Sequence, residues 1–273
     1  MDFENIKSRL LITVVFLPLT VLALFLNNII FYVFLFSFYG IIVWEFHKIS
    51  DIRNNKFIFI FIVFLIFVPT LLSVVFQIFF DSNFTYVNFI LLFILFFILI
   101  YKRYFNKTKN KTKNLDYYFW FYCISFGYCL SFIPHIISPE FGRWHFLFLL
   151  LIIWITDTGA FIIGNLFGKI KLAPLISQNK TVEGTIGGLI FGFIFGFIFN
   201  RYFHFSLSDL QLFLIIMTIP IMAVIGDLLE SNLKRRAKIK DSSGIFLGHG
   251  GVIDRLDSVV PNILLFYLIM DLL

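Results

Sequence analysis

FLFLLLIIWITDTGAFIIGNLF, Phe146–Phe167, decides the fold. The run meets the roughly 20 mainly apolar residues that a helix needs to cross the hydrocarbon core of a bilayer. Yet Asp157 lies near its middle, at a depth where a carboxylate is costly unless it faces a polar cavity, a cation or a partner. The stretch therefore predicts a membrane helix that borders a functional site.

The rest of the chain agrees. Of its 273 residues 60% are hydrophobic and only 14% charged, 41 are Phe, and the mean hydropathy is +0.94. That leaves too little polar surface to cover a water-exposed globule. Lipid offers no partner to a bare backbone amide, so the spans must be helices. The expectation is an all-α, polytopic integral membrane protein whose obligatory partner is the lipid bilayer, with no nucleic-acid partner.

About nine apolar segments can be read, at 10–26, 29–44, 57–79, 84–101, 117–137, 146–167, 184–203, 210–229 and 259–273. The first follows a basic flank as a signal peptide would, but it runs on to Leu26 without a small-residue cleavage site and is read as a retained span. With a cytoplasmic N-terminus, every Lys and Arg except Arg143 and Arg201 falls on the inner side. That is the positive-inside pattern. Cys123 and Cys129 both lie in the fifth apolar run and imply buried thiols, with no disulfide framework.

Polarity divides the chain. Residues 1–137, about five spans, keep their polar groups almost wholly in loops, such as the basic run Lys102–Asn114 that can rest on anionic headgroups. Residues 138–273 place acids and glycines inside or against the spans, and carry the two polar stretches 168–183 and 230–258, expected as cytoplasmic loops. Thr156, Ala160, Gly164 and Gly168 recur every fourth residue, as do Gly184, Gly188, Gly192 and Gly196. Such faces serve close helix packing within one subunit or at a homodimer interface. In the first polar stretch, Pro174 argues against a continuous helix, and Ser177, Lys180 and Thr181 are placed to cap the next one while facing an anion at its positive end. A short polar hairpin is the alternative.

The second stretch mixes signs, with six basic residues, Lys234, Arg235, Lys240 and Arg255 among them, beside Glu230, Asp241, Asp254 and Asp257, and glycines at 244, 248, 250 and 251. Glycines let a backbone approach a ligand and offer amides to an anion. Lys and Arg suit phosphate, and carboxylates beside them would repel it unless a metal lay between. Asp227, Asp254 and Asp257 are hard oxygen donors of the kind Mg²⁺ takes, so a nucleoside triphosphate with Mg²⁺ accounts for both signs. Neither GxxxxGK[ST] nor a strand-anchored GxGxxG is present.

SNLKRRAKIKDSSGIFLGHGGVIDRLDS, Ser231–Ser258, resembles the signature of the phosphatidate cytidylyltransferases: S-x-x-K-R, four residues, K-D, then H-G-G-x-x-D-R-x-D. DTGAFIIGNLFGK, KLAPLIS, KTVEGTIGG and GDLLES look like further segments of that family, and KSRLLI and VWEF like its opening. Leu247 and Gln178 depart from it, each standing where Pro is usual.

The resemblance implies CMP transfer from CTP to phosphatidate, giving CDP-diacylglycerol and pyrophosphate, with Mg²⁺ and a second cation, K⁺, as cofactors. It implies catalytic roles for Asp227, Lys234, Lys240, Asp241, Asp254 and Arg255. Metal would be held by Asp227, Asp254 and Asp257, and substrate by Asp157, Lys180, Ser231, Arg235, His249, Gly250 and Gly251. The expected location is a bacterial cell (inner) membrane with the site on its cytoplasmic side. Rival readings are a polyprenol kinase or CDP-archaeol synthase, which would share the nucleotide site, and an anion or lipid transporter, which one-sided charge and the lack of an inverted half disfavour.

Overall fold

A computed structural model describes residues 18–50, 56–80, 113–203, 207–245 and 250–272. After a helical run over 18–25, the helices are α1 (Asn28–Ile49), α2 (Lys56–Phe80), α3 (Lys113–Leu130), α4 (Ile133–Ile137) and α5 (Gly142–Phe167). A hairpin of β1 (Lys171–Ala173) and β2 (Ser177–Thr181) follows, then α6 (Val182–Phe203), α7 (Asp209–Arg236), α8 (Ile253–Leu256) and α9 (Val259–Leu272). Among the described residues five stretches are long and apolar enough to cross a membrane: Asn28–Ile49, Tyr118–Ile137, Gly142–Phe167, Val182–Phe203 and Asp209–Arg236. The all-α membrane architecture expected from the sequence is thus present, with one two-stranded hairpin added. The expected span at 84–101 and the basic run 102–112 lie outside the described residues.

The chain forms two compact units, one of residues 1–131 with 236–255, the other of 132–235 with 256–273. The break falls at 131–132, inside the fifth expected segment, where α3 ends and Pro134 opens α4. Proline lacks the N–H that would continue the helix, so a single span over 117–137 becomes two helices.

In the first unit, the Tyr39 hydroxyl on α1 lies within hydrogen-bond reach of Thr70 Oγ1 on α2 (3.1 Å) and Leu130 O at the end of α3 (3.3 Å). In the same unit Phe46, Ile62, Ile66 and Phe126 are buried. Gly127 makes the α2–α3 approach feasible, since a Cβ there would stand 2.2 Å from Leu65 O. Gly127→Ala is expected to lower stability by about 1–3 kcal/mol through this overpacking, read as a lower melting temperature in detergent.

In the second unit the small-residue faces of α5 and α6 meet each other. A Cβ on Gly184 would sit 2.8 Å from Ala160 O, one on Gly188 2.6 Å from Thr156 O, and one on Gly192 2.3 Å from Thr156 Oγ1. These glycines therefore serve packing within the chain. The Phe-rich outer faces, including Phe161, Phe193 and Phe197, are exposed and suit lipid contact.

The first polar stretch takes the hairpin alternative, and the start of the second is helical. Residues 171–181 pair as antiparallel strands, turned by Ala173-Pro174-Leu175-Ile176 with Ile176 N–H donating to Ala173 O (3.1 Å). Proline suits the second position of such a turn. In the stretch 230–258, residues 230–236 are not loop but the last turns of α7. Glu230 and Lys234 pair at i,i+4 (2.7 Å), and the Leu, Glu, Lys and Arg residues that dominate LLESNLKRR are good helix formers.

Candidate active site

Asp227, Glu230, Ser231 and Lys234 sit at i, i+3, i+4 and i+7 on α7, so they share one face. Ser231 Oγ donates to Asp227 Oδ1 (3.2 Å), and Lys234 Nζ pairs with Glu230. From β2, Lys180 Nζ forms a close ion pair with Asp227. The hairpin holds that lysine by its base: the Glu183 carboxylate accepts the N–H groups of Lys169 (3.1 Å) and Ile170 (3.2 Å). Thr181 Oγ1 caps α6 by accepting from Gly184 N–H (3.2 Å).

Asp257 arrives from the turn before α9. Its backbone lies close against α7 because residue 226 is glycine: a Cβ there would meet Asp257 O at 2.3 Å and Pro261 Cγ at 2.8 Å. Ser258 N–H donates to Asp257 Oδ1 (2.6 Å), and Asn262 Nδ2 donates to Ser258 O (2.7 Å), which fixes the turn.

Asp227, Glu230 and Asp257 each present a carboxylate oxygen within 4.8 Å of the others. Glu230 and Asp257 are buried. Burial, then the charges of Asp227 and Asp157, push the Asp257 carboxyl well above the usual carboxylate range, against the pull of the Ser258 N–H and Lys180. Like charges gathered in a buried place are stable only with positive charge among them. Lys180 and Lys234 supply part of it. An all-oxygen acidic set of this kind fits a hard divalent cation.

Not all the residues expected from the sequence lie in this unit. Asp157, Lys180, Asp227, Ser231, Lys234, Arg235 and Asp257 do, Arg235 donating from Nε to Ile176 O (3.2 Å). Lys240, Asp241, Gly250, Gly251, Asp254 and Arg255 belong to the other unit, and His249 with Leu247 lies outside the described residues.

There Asp254 shapes its own loop. Asp254 Oδ2 accepts from Gly251 N–H (2.7 Å), Ser242 N–H (3.0 Å) and Ser242 Oγ (3.1 Å). The Gly251 amide, read from the sequence as a donor to phosphate, is directed at this carboxylate. Gly250 adopts a positive φ of 82°, which a residue with a side chain reaches only with strain. Lys240 and Arg255 are exposed.

Two acids are not among the site residues assigned from the sequence. Glu230 is present in the mixed-sign stretch and stands three residues from Asp227, but the motif draws attention to the aspartates. Glu45, wholly buried on α1, stands in VWEF, just past the apolar segment 29–44.

A family model described as "Cytidylyltransferase family" matches residues 7–273. Similar proteins include the phosphatidate cytidylyltransferases of Staphylococcus haemolyticus (strain JCSC1435), 43% identical over 129 residues, and Staphylococcus saprophyticus subsp. saprophyticus, 42% identical over 129. That of Staphylococcus aureus (strain COL) is 40% identical over the same length. Each match covers 45% of this chain and 50% of the relative, so the chain spans about half the length of the curated relatives it matches.

Proposed function

From the premise that the chain belongs to the cytidylyltransferase family, we propose that it transfers CMP from CTP to phosphatidate, forming CDP-diacylglycerol and pyrophosphate. The observation that carries this reading is the convergence of Asp227, Glu230 and Asp257 beside Lys180 and Lys234. Oxygen ligands for a cation stand next to bases for phosphate, and a nucleoside triphosphate with its metal needs both.

In this reaction a phosphate oxygen of phosphatidate bonds to the α-phosphorus of CTP, and the α–β bridging P–O bond breaks. Pyrophosphate leaves with the electron pair. The nucleophile is already an anionic oxygen, so no general base is required, and catalysis reduces to positioning and charge neutralisation. Lys180 and Lys234, held beside the acids, counter the charge of the departing pyrophosphate. Arg235, Lys240 and Arg255 are the further bases assigned to triphosphate and lipid phosphate, with Ser231, His249 and Asp241 beside them in the motif. The set that would hold Mg²⁺ is Asp227, Glu230 and Asp257; Asp254, a metal ligand by the motif, belongs to the other unit and there accepts from Gly251 and Ser242. Bound there, Mg²⁺ neutralises charge on the triphosphate oxygens. K⁺ is the second cation proposed.

The site is assigned to the cytoplasmic side of a bacterial cell membrane, in a chain of about nine spans with its N-terminus inside. CTP is cytosolic and phosphatidate stays in the bilayer, so Asp157 on α5 would line the deeper wall. Chelation offers a check: excess EDTA should reduce CMP transfer to background, and Mg²⁺ added in excess of the chelator should restore it. Activity that persists after chelation contradicts the cation assignment. The acceptor is tested by offering phosphatidate, a polyprenol and an ether-lipid phosphate in parallel. Labelling of either alternative but not of phosphatidate would replace this reading.

A further inference from the structure

We infer that Glu45 is a positioning residue for the proposed CMP transfer, clamping the loop Ser242–Ile253 that carries the Gly250-Gly251 turn and leads into Arg255; the inference rests on that reading. Glu45 lies on α1, far from this loop in the chain, and is fully buried. Its two carboxylate oxygens face four donors: Ser243 Oγ (2.5 Å), Ser242 Oγ (3.1 Å), Val252 N–H (2.9 Å) and Ile253 N–H (2.8 Å). An ionised carboxyl is acceptor-only and can serve all four.

The contacts fall at both ends of the loop. Ser242 and Ser243 lie where it leaves, and Val252 and Ile253 where it returns into α8. The N–H groups at a helix start have no intrahelical partner, so Glu45 supplies from α1 what a local capping residue would otherwise give. Asp254 holds the same ends from the other side through Ser242 and Gly251. Ser242 Oγ reaches both acids but has one proton, so it serves one at a time.

The glycine at 251 follows from this arrangement. A Cβ on it would stand 1.9 Å from Glu45 Oε1 and 2.2 Å from Ser242 Oγ. Gly251 is thus small because the carboxylate occupies the space beside it. The four hydrogen bonds fix where α8 begins, and with it the placement of Arg255.

Glu45→Gln tests the inference, because it keeps the shape and turns one acceptor oxygen into a donor facing donors. Two readouts are taken on the full chain in detergent: CMP transfer with kcat and KM for CTP and phosphatidate, and hydrogen exchange of amides in 242–245 and 250–253. The expected result is a loss on the order of 100-fold in kcat/KM for CTP, faster exchange in those two segments, and unchanged exchange in α2 and α5. Gly251→Ala should reproduce this pattern by displacing the same carboxylate.

Transfer within twofold of the parent, or lost transfer with unaltered loop exchange, overturns the inference. If Glu45→Gln fails to fold, Ser243→Ala decides: it removes one of the four donors and should raise loop exchange, and unchanged exchange counts against the clamp. A parent chain inactive with CTP and phosphatidate would sink the proposed function, while the exchange data would still judge the clamp.

Discussion

Asp257→Asn should lower CMP transfer by on the order of 1,000-fold without unfolding the protein. Asparagine has the same shape, and its oxygen can still accept the Ser258 N–H that now bonds Asp257 Oδ1. What disappears is a carboxyl whose ionisation burial, Asp227 and Asp157 all oppose. Removing it should leave the apparent melting temperature in detergent equal or higher, because a buried like-charge repulsion is relieved. Loss of turnover with retained or raised stability is the mark of a group kept for function. The thermal stabilisation that Mg²⁺ gives the parent should vanish in the same variant. Near-normal turnover would remove Asp257 from the site.

Gly226→Ala makes the complementary test, since it leaves every acid and base in place and moves them. The new Cβ would stand 2.3 Å from Asp257 O, a backbone atom with little room to yield. Ala is the better helix former by about 1 kcal/mol, which taken alone predicts stabilisation. The clash opposes it at about 1–3 kcal/mol and should dominate. The displaced Asp257 should cost on the order of 100-fold in turnover, a loss that extra Mg²⁺ does not restore. Full activity would show that the tight α7–Asp257 approach is dispensable.

Much of the fold was legible because membrane helices announce themselves through long apolar runs, and α5, α6 and α7 begin within a few residues of the segments read for them. Boundaries failed where polarity and helicity part company. Residues 230–236 are polar yet helical, because Glu230 and Lys234 support one another along α7. The run 117–137 is mainly apolar yet broken, because Pro134 cannot donate.

For the proposed site, charge type and spacing point to Asp227, Asp257 and Lys180, whereas the roles proposed for Glu230 and Glu45 rest on contacts made in three dimensions. The purpose of Gly251 also could not be read from its neighbours, since the atom it makes room for belongs to α1. Linear spacing reports what shares a helix face and is silent about what the other elements bring to it.

The most direct measurement of the central claim uses the purified chain in mixed micelles with phosphatidate, Mg²⁺ and CTP labelled at its α-phosphate. The label should move into the lipid phase as CDP-diacylglycerol, with one pyrophosphate released for each label transferred. Label that stays in the aqueous nucleotide, under conditions where one of the similar staphylococcal enzymes transfers it, would contradict the account.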